Sequence, residues 1–71
     1  MVETFVAKGS SNIAQFTYDP EVENLTVEFQ DGREYVYFNV PLRVYQNWCA
    51  DGGSGKYFWR QIRSVYAYEE Q

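Results

Sequence analysis

The chain has 71 residues with a formal net charge of −4, one cysteine and no histidine. This length predicts a single domain, residues 1–71, with a thin core, because small domains bury only about 60% of the surface that the unfolded chain exposes. One cysteine excludes an internal disulfide, and its presence without histidine argues against a zinc site. No apolar run approaches the ~20 residues of a membrane span, and residues 1–10 lack a signal-peptide pattern, so we expect a cytoplasmic protein with no membrane partner.

Aromatic side chains are the main resource for a core in a chain this small. The sequence contains two Trp, seven Tyr and five Phe residues. Each buried aromatic side chain removes roughly 150–250 Å² of surface from water. We therefore expect an aromatic core, and association into a homo-oligomer stays open as a second way to bury these rings.

Three segments in the first part of the chain alternate between apolar and polar side chains, as β-strands do. They are residues 12–19, 24–30 and 33–40. The dipeptide Asp31-Gly32 favours a tight two-residue hairpin turn between the last two, in which both turn residues have a positive φ. The pattern therefore predicts a three-stranded antiparallel β-meander.

The third predicted strand carries large side chains on both of its faces. Val36, Phe38 and Val40 alternate with Tyr35 and Tyr37. When one face of a sheet packs on helices, the other face is exposed or is covered by a partner. We assign the set with two valines to the core, which places Tyr35 and Tyr37 on the open face.

Two short helices are predicted after these strands. Pro41 suits the first turn of a helix, because its missing N–H would have no partner there. The first helix has an inward face at helical spacing, formed by Leu42, Tyr45, Trp48 and Cys49. The glycine-rich segment 51–55 ends this helix, and Ser54 is the expected N-cap of the second helix.

The second helix is expected to place Phe58 and Ile62 inward, because they are four residues apart. Tyr66 and Tyr68 are two residues apart, which is typical of an extended edge segment in the tail, residues 64–71. The predicted fold class is α+β, with a three-stranded antiparallel β-meander followed by two short α-helices and an extended C-terminal tail.

Charge is distributed unevenly along the chain. Residues 1–40 contain two basic and seven acidic side chains, whereas residues 41–63 contain four basic and one acidic side chain. Three of the basic residues form a stripe at helical spacing: Lys56, Arg60 and Arg63. A glycine-rich turn ahead of a helix also presents unpaired backbone N–H groups. The segment fits either an anion or phosphate site or a solvated helix face.

Aromatic residues near this stripe are the second candidate feature. Tyr35 and Tyr37 on the open face, with Tyr57 and Trp59 on the second helix, are positioned to stack on nucleic-acid bases. The alternative is that these rings bury one another in the core or in an oligomer interface. The spacing of Trp59 and Arg63 also fits a simple cation–π contact.

Residues suited to catalysis are lacking in this sequence. There is no histidine to act as a base, and Cys49 is predicted to face the core without a base partner. The segment around Gly52–Lys56 resembles a phosphate-binding P-loop, but Ala50 stands where the first glycine belongs and Tyr57 replaces the Ser or Thr. We therefore predict no enzymatic activity, no catalytic residue, no cofactor and no metal.

Several motifs in order resemble the KTSC domain family over residues 10–69. They are residues 10–13 (SSNI), 34–41 (EYVYFNVP), 55–58 (GKYF), 62–63 (IR) and 66–68 (YAY). The family is named for the C-terminal end of some lysyl-tRNA synthetases, and the Tyr-x-Tyr of Tyr35 and Tyr37 is its signature. The resemblance implies RNA binding, suggested by the synthetase fusion, and small stand-alone members occur in bacteria and phages.

Three hypotheses for function follow. The leading one is a non-catalytic nucleotide-binding module, in its phage-type form a homo-oligomer that sequesters a small nucleotide signal of host defence. Its ligand would be a small nucleotide or a short single-stranded RNA. The second is an RNA-binding, tRNA-associated module, and the third is a protein-interaction or assembly domain. The predicted ligand-binding residues are Tyr35, Tyr37, Lys56, Tyr57, Trp59, Arg60 and Arg63.

Overall fold

The computed structural model describes residues 2–8 and 10–71, which form five β-strands and two α-helices. The elements are β1 (Glu3–Val6), β2 (Ile13–Asp19), β3 (Asn24–Phe29), β4 (Glu34–Tyr37), α1 (Leu42–Ala50), α2 (Gly55–Gln61) and β5 (Tyr68–Glu70). The strands form one antiparallel sheet in the order β1-β2-β3-β4-β5. The α+β class and the two helices are confirmed. Neither described helix has the length and hydropathy of a membrane-spanning segment.

The sheet has five strands where the sequence predicted three. β1 has only four residues, and Phe5 is its single side chain that is not exposed, so its pattern was too weak to identify. β5 lies in the tail that was predicted to be extended, and it pairs with β4 at the opposite edge of the sheet. Both helices lie between β4 and β5 along the chain. The segment after them returns to the sheet and places Tyr68 opposite Tyr37.

The hairpin between β3 and β4 has a three-residue loop, not the predicted two-residue turn. Phe29 N donates to Arg33 O (2.8 Å), and Gly32 N donates to Phe29 O (3.0 Å). Gly32 has φ +93°, whereas Asp31 does not have a positive φ. This is the geometry of a type I turn followed by a glycine in the left-handed region. Asp31 Oδ1 stabilises the turn by accepting a bond from Arg33 N (3.1 Å).

The extra loop residue reverses the predicted faces of β4. Tyr37 lies opposite Leu25 and Tyr35 lies opposite Val27, and both partners point into the core. Residues directly opposite each other in an antiparallel pair share a face, so Tyr35 and Tyr37 are on the helix-covered face and not on the open face. Val36 lies opposite Thr26 on the open face, which corrects its predicted core position.

The core lies between the sheet and the two helices and is largely aromatic. Trp48 of α1 is fully buried and stacks on Phe16 of β2, with ring centres 3.6 Å apart. The predicted inward residues Tyr45, Phe58 and Ile62 are buried. Two other residues predicted on the inward face of α1 are less buried: Leu42 is exposed and Cys49 is half-buried.

The connection between the helices is packed against the sheet. Ser54 caps α2, as predicted, by accepting a bond from Tyr57 N at its Oγ (3.1 Å). Gly53 has φ +75°, and a Cβ atom there would lie 2.9 Å from a ring carbon of Phe5. The Trp48 indole donates from Nε1 to Ser54 O (2.9 Å). These contacts fix where α2 begins and therefore where its far end meets the sheet.

Candidate ligand cleft

An open cleft of about 560 Å³ lies at the edge of the sheet where the β3–β4 hairpin, the end of α2 and β5 meet. Its walls combine two kinds of side chain. The aromatic ones are Phe29, Tyr35, Tyr37, Phe58, Trp59 and Tyr68. The polar and charged ones are Ser11, Asn12, Gln30, Asp31, Arg33 and Arg63. The cleft can therefore hold a ligand with both a flat apolar part and a charged part.

Aromatic rings form a continuous wall along the cleft. Tyr37 packs edge-on against Phe58, with ring centres 5.5 Å apart, and Tyr35 packs edge-on against Phe29 at 5.6 Å. Tyr68 of β5 lies 5.6 Å from Tyr35 and 5.3 Å from Tyr37. Tyr68 and Trp59 are each more than half exposed, so their rings offer the accessible stacking surface.

Tyr37 forms the buried part of this wall. Burial, and next the nearby Tyr68 hydroxyl, raise the pKa of Tyr37 to about 12, although the positive charge of Arg63 works in the opposite direction. The phenol therefore keeps its proton at neutral pH. It presents a hydrogen-bond donor at the base of the cleft and not a charge.

Arg63 is positioned by the end of α2. Its backbone N donates to Phe58 O (2.9 Å), and its guanidinium carbon lies 4.0 Å from the centre of the Trp59 ring. The predicted cation–π contact is thus present in the structure. A guanidinium group stacked on a ring keeps its in-plane N–H donors available for an anion.

Arg33 enters the cleft from the hairpin loop and is already paired. Its Nε lies 2.8 Å from Asp31 Oδ2, and both side chains are more than half exposed. The backbone N–H of Arg33, followed by its side chain, holds the pKa of Asp31 below the usual value. Arg33 and Asp31 form the single ion pair among residues 2–8 and 10–71, so Arg63 has no carboxylate partner there.

The structure separates the seven predicted ligand-binding residues into two groups. Tyr35, Tyr37, Trp59 and Arg63 all line the cleft. Lys56, Tyr57 and Arg60 do not line it. α2 ends at Gln61, so Arg63 lies beyond the helix, and the predicted stripe of three basic residues does not continue along it.

The three residues outside the cleft have other surroundings. Lys56 and Arg60 are exposed on α2. Tyr57 is half-buried, and its ring lies parallel to that of Trp48 with centres 6.4 Å apart. Burial is the main cause that raises the pKa of Tyr57.

The backbone N–H groups of residues 52–54, in the glycine-rich connection before α2, bond to acceptors within the chain and are not available to an anion. Gly52 N donates to Cys49 O (3.0 Å), and Gly53 N donates to Trp48 O (2.9 Å). Ser54 N donates to Asp51 Oδ2 (3.2 Å), which also places a negative charge beside the helix start. The structural role of this segment is packing and capping.

Several residues of the cleft were missed because they come from distant parts of the chain. Asn12 precedes β2, Gln30 and Arg33 belong to the hairpin, and Tyr68 arrives with β5. Asp31 was interpreted only as a turn residue, and Arg33 only as the first residue of the predicted strand 33–40. The spacing of Tyr66 and Tyr68 was the one available signal for β5, but it did not reveal which strand β5 joins.

The open face of the sheet carries a different set of side chains. Glu28 lies directly opposite Glu34, and Thr17 lies opposite Thr26. Gln15 Nε2 donates to Glu28 Oε1 (3.2 Å). No group of three or more His, Cys, Asp or Glu residues within the described part of the chain is arranged to hold a metal ion.

Comparisons with known proteins identify the family. The model of the KTSC domain matches residues 9–66. Lysine–tRNA ligases from Nostoc sp. and Trichormus variabilis are 37% and 35% identical over 60 residues, which is 84% of this chain but 11% of each ligase. The crystal structure of a KTSC domain protein from Yersinia pestis matches with a TM-score of 0.84 and 27% identity, over 100% of this chain and 99% of that chain. The chain belongs to the KTSC domain family.

Proposed function

We propose that this domain is a non-catalytic RNA-binding module that holds an unpaired segment of RNA, such as one in tRNA, in the cleft. The observation that carries the proposal is the meeting of exposed aromatic rings and two arginines in one cavity. The similarity to part of the lysine–tRNA ligases supports tRNA as the kind of RNA. The nucleotide-sequestering role, which was our leading hypothesis from the sequence, gains no support from these relatives.

The chemistry of the cleft suits a nucleotide unit. Trp59 and Tyr68 provide exposed rings, and stacking on a base contributes about 1–3 kcal/mol. The planar guanidinium of Arg63 matches the geometry of phosphate oxygens. A cavity of about 560 Å³ is within the range that holds ligands of this size, on the order of one or two nucleotides.

An unpaired segment fits the cleft better than an RNA helix does. Side chains stack on bases only where those bases are unstacked from their neighbours, as in loops and ends. Binding a helix relies on many phosphate contacts, whereas the chain has a net charge of −4 and the cleft contains two arginines. The proposed ligand is therefore short and single-stranded at the point of contact.

A non-catalytic role agrees with the ionisation of the cleft residues. The pKa of Tyr37 is raised to about 12 and the pKa of Asp31 is lowered by its bonds to Arg33. General acids and bases work best when the pKa is near the operating pH. Neither group is matched to proton transfer at neutral pH, which favours binding over catalysis.

Charge-neutralising variants on the same part of the chain test the proposal. Arg63→Gln removes the cleft cation that has no ion-pair partner in the described part of the chain, and we expect it to weaken binding of a short unstructured RNA about tenfold or more. Lys56→Gln makes the same charge change outside the cleft and is the matched control, with an expected effect of less than about twofold. Isothermal titration calorimetry measures both, and circular dichroism confirms that the variants fold.

Two results would contradict the proposal. One is the lack of saturable binding to any single-stranded RNA or to tRNA. The other is an equal loss of affinity in Arg63→Gln and Lys56→Gln, because RNA would then respond to overall charge and not to the cleft.

A further inference from the structure

The charges that face the cleft nearly cancel. Arg33 is paired with Asp31 at 2.8 Å, and the carboxylate of Glu70 on the neighbouring strand β5 adds to the negative field around Arg33. Arg63 lies 4.0 Å from the Trp59 ring centre and has no ion-pair partner in the part of the chain that the structure describes. As far as the described residues go, the cleft therefore offers one positive charge without an ion-pair partner.

We infer that the cleft recognises one phosphodiester, the singly charged linkage inside an RNA strand, and not a doubly charged terminal phosphate. This inference rests on the proposed function and specifies which part of the RNA the cleft binds. A monoanion matches Arg63, the cleft cation that has no ion-pair partner among residues 2–8 and 10–71. A second negative charge would have to approach Arg33 and would meet the Asp31 carboxylate beside it.

Arg63 and Trp59 act together in this arrangement. The indole ring restrains the guanidinium, so less side-chain freedom is lost when a phosphate binds. The phosphate at Arg63 then places an adjoining base near the aromatic wall, where Tyr68 and Trp59 are exposed. One phosphodiester at Arg63 and one stacked base would together provide the affinity for RNA.

Asp31 is the residue that limits the net positive charge of the cleft. Its Oδ1 also accepts the turn bond from Arg33 N at 3.1 Å. The variant Asp31→Asn removes the charge but retains an oxygen for this bond, so the hairpin loop is expected to keep its shape. It should turn Arg33 into a second free cation.

The number of phosphate contacts can be obtained from the salt dependence of the association constant. For a single strand, the slope of log association constant against log salt is about −0.7 for each phosphate contacted. We expect the affinity of the wild type for tetra-adenylate to fall about 2.6-fold between about 50 and 200 mM salt. The affinity of Asp31→Asn for tetra-adenylate should fall about sevenfold over the same range. The affinity of Arg63→Gln should hardly depend on salt, and that of Lys56→Gln should fall as it does for the wild type.

A second comparison separates the two kinds of phosphate. Tetra-adenylate with a 5′-hydroxyl and tetra-adenylate with a 5′-phosphate should bind the wild type with affinities within about twofold of each other. Adenosine monophosphate, which has only a terminal phosphate, should bind more weakly than the dinucleotide ApA. Calorimetry without a fluorescent label avoids adding charge to the probe.

The outcomes distinguish this inference from the proposed function. RNA binding with a wild-type slope of about −2 or steeper, or about tenfold tighter binding of the 5′-phosphorylated strand, would overturn the single-linkage inference and leave the RNA-binding proposal standing. No binding of tetra-adenylate or tRNA would overturn both.

Discussion

Replacing Gly53 with alanine tests how tightly the connection between the helices packs against the sheet. The new Cβ would lie 2.9 Å from a ring carbon of Phe5 and 3.0 Å from one of Phe16. The residue also has φ +75°, a conformation that costs a non-glycine residue about 1–2 kcal/mol. Overpacking of a core adds about 1–3 kcal/mol. We therefore expect Gly53→Ala to lower the free energy of unfolding by about 2–5 kcal/mol.

Gly52 provides the matched control for this substitution. It has φ +92°, but nothing lies within 4 Å of a Cβ built there, so Gly52→Ala should cost only the backbone term of about 1–2 kcal/mol. Urea unfolding followed by tryptophan fluorescence measures both variants. A domain of 71 residues has a total stability of about 4–11 kcal/mol, so the difference is measurable. Equal losses in the two variants would refute the packing argument and return the glycines to a purely conformational role.

Two further predictions concern buried tyrosines. Burial raises the pKa of Tyr37 from 10.0 to about 12, so the folded state holds this proton more tightly than the unfolded state does. The free energy of unfolding should then fall as pH rises from about 10 to about 12, and Tyr37→Phe should remove about 1.4 kcal/mol per pH unit of that fall. Urea titrations at several pH values measure the slopes, and identical slopes would contradict the prediction. Tyr18 Oη donates to Val40 O (2.5 Å) in the core, so Tyr18→Phe leaves that carbonyl without its donor and should cost about 1–3 kcal/mol. An unchanged urea midpoint at neutral pH would show that this bond does not stabilise the fold.

The β3–β4 hairpin shows which features of the fold could be predicted from the sequence and which could not. Alternation located β2 and β3 to within one residue at each end, because side chains on the buried face of a strand recur every two residues. It also located β4, but this strand ends at Tyr37 and not at residue 40. A two-residue turn at Asp31-Gly32 would place Val36 opposite Val27, whereas the observed loop places Tyr35 there. One loop residue moves every side chain of β4 to the other face. Local composition did not distinguish the two loops, because a glycine with a positive φ suits both.

The cleft was harder to predict than the strands, for a different reason. Arg63 and Trp59 were identified from their spacing on one helix. Arg33 and Tyr68 were missed because β5 pairs with β4 although two helices separate these strands along the chain. Nothing in the local pattern of the tail indicates which strand it joins. Sites assembled from several distant segments therefore depend on topology, which a single sequence determines only weakly.

The negative net charge and the proposed RNA binding are compatible because part of the negative charge lies on the open face of the sheet, away from the cleft. Glu28 and Glu34 lie opposite each other on the open face of the sheet, where like charges in direct opposition reduce the stability of the sheet. Arg63 lies on the side of the helices, in the cleft. The acidic face would repel a strand of RNA, and the cleft would attract one linkage of it. A domain charged in this way would contact RNA through one face only, which favours recognition of a local single-stranded feature over general affinity for polyanions.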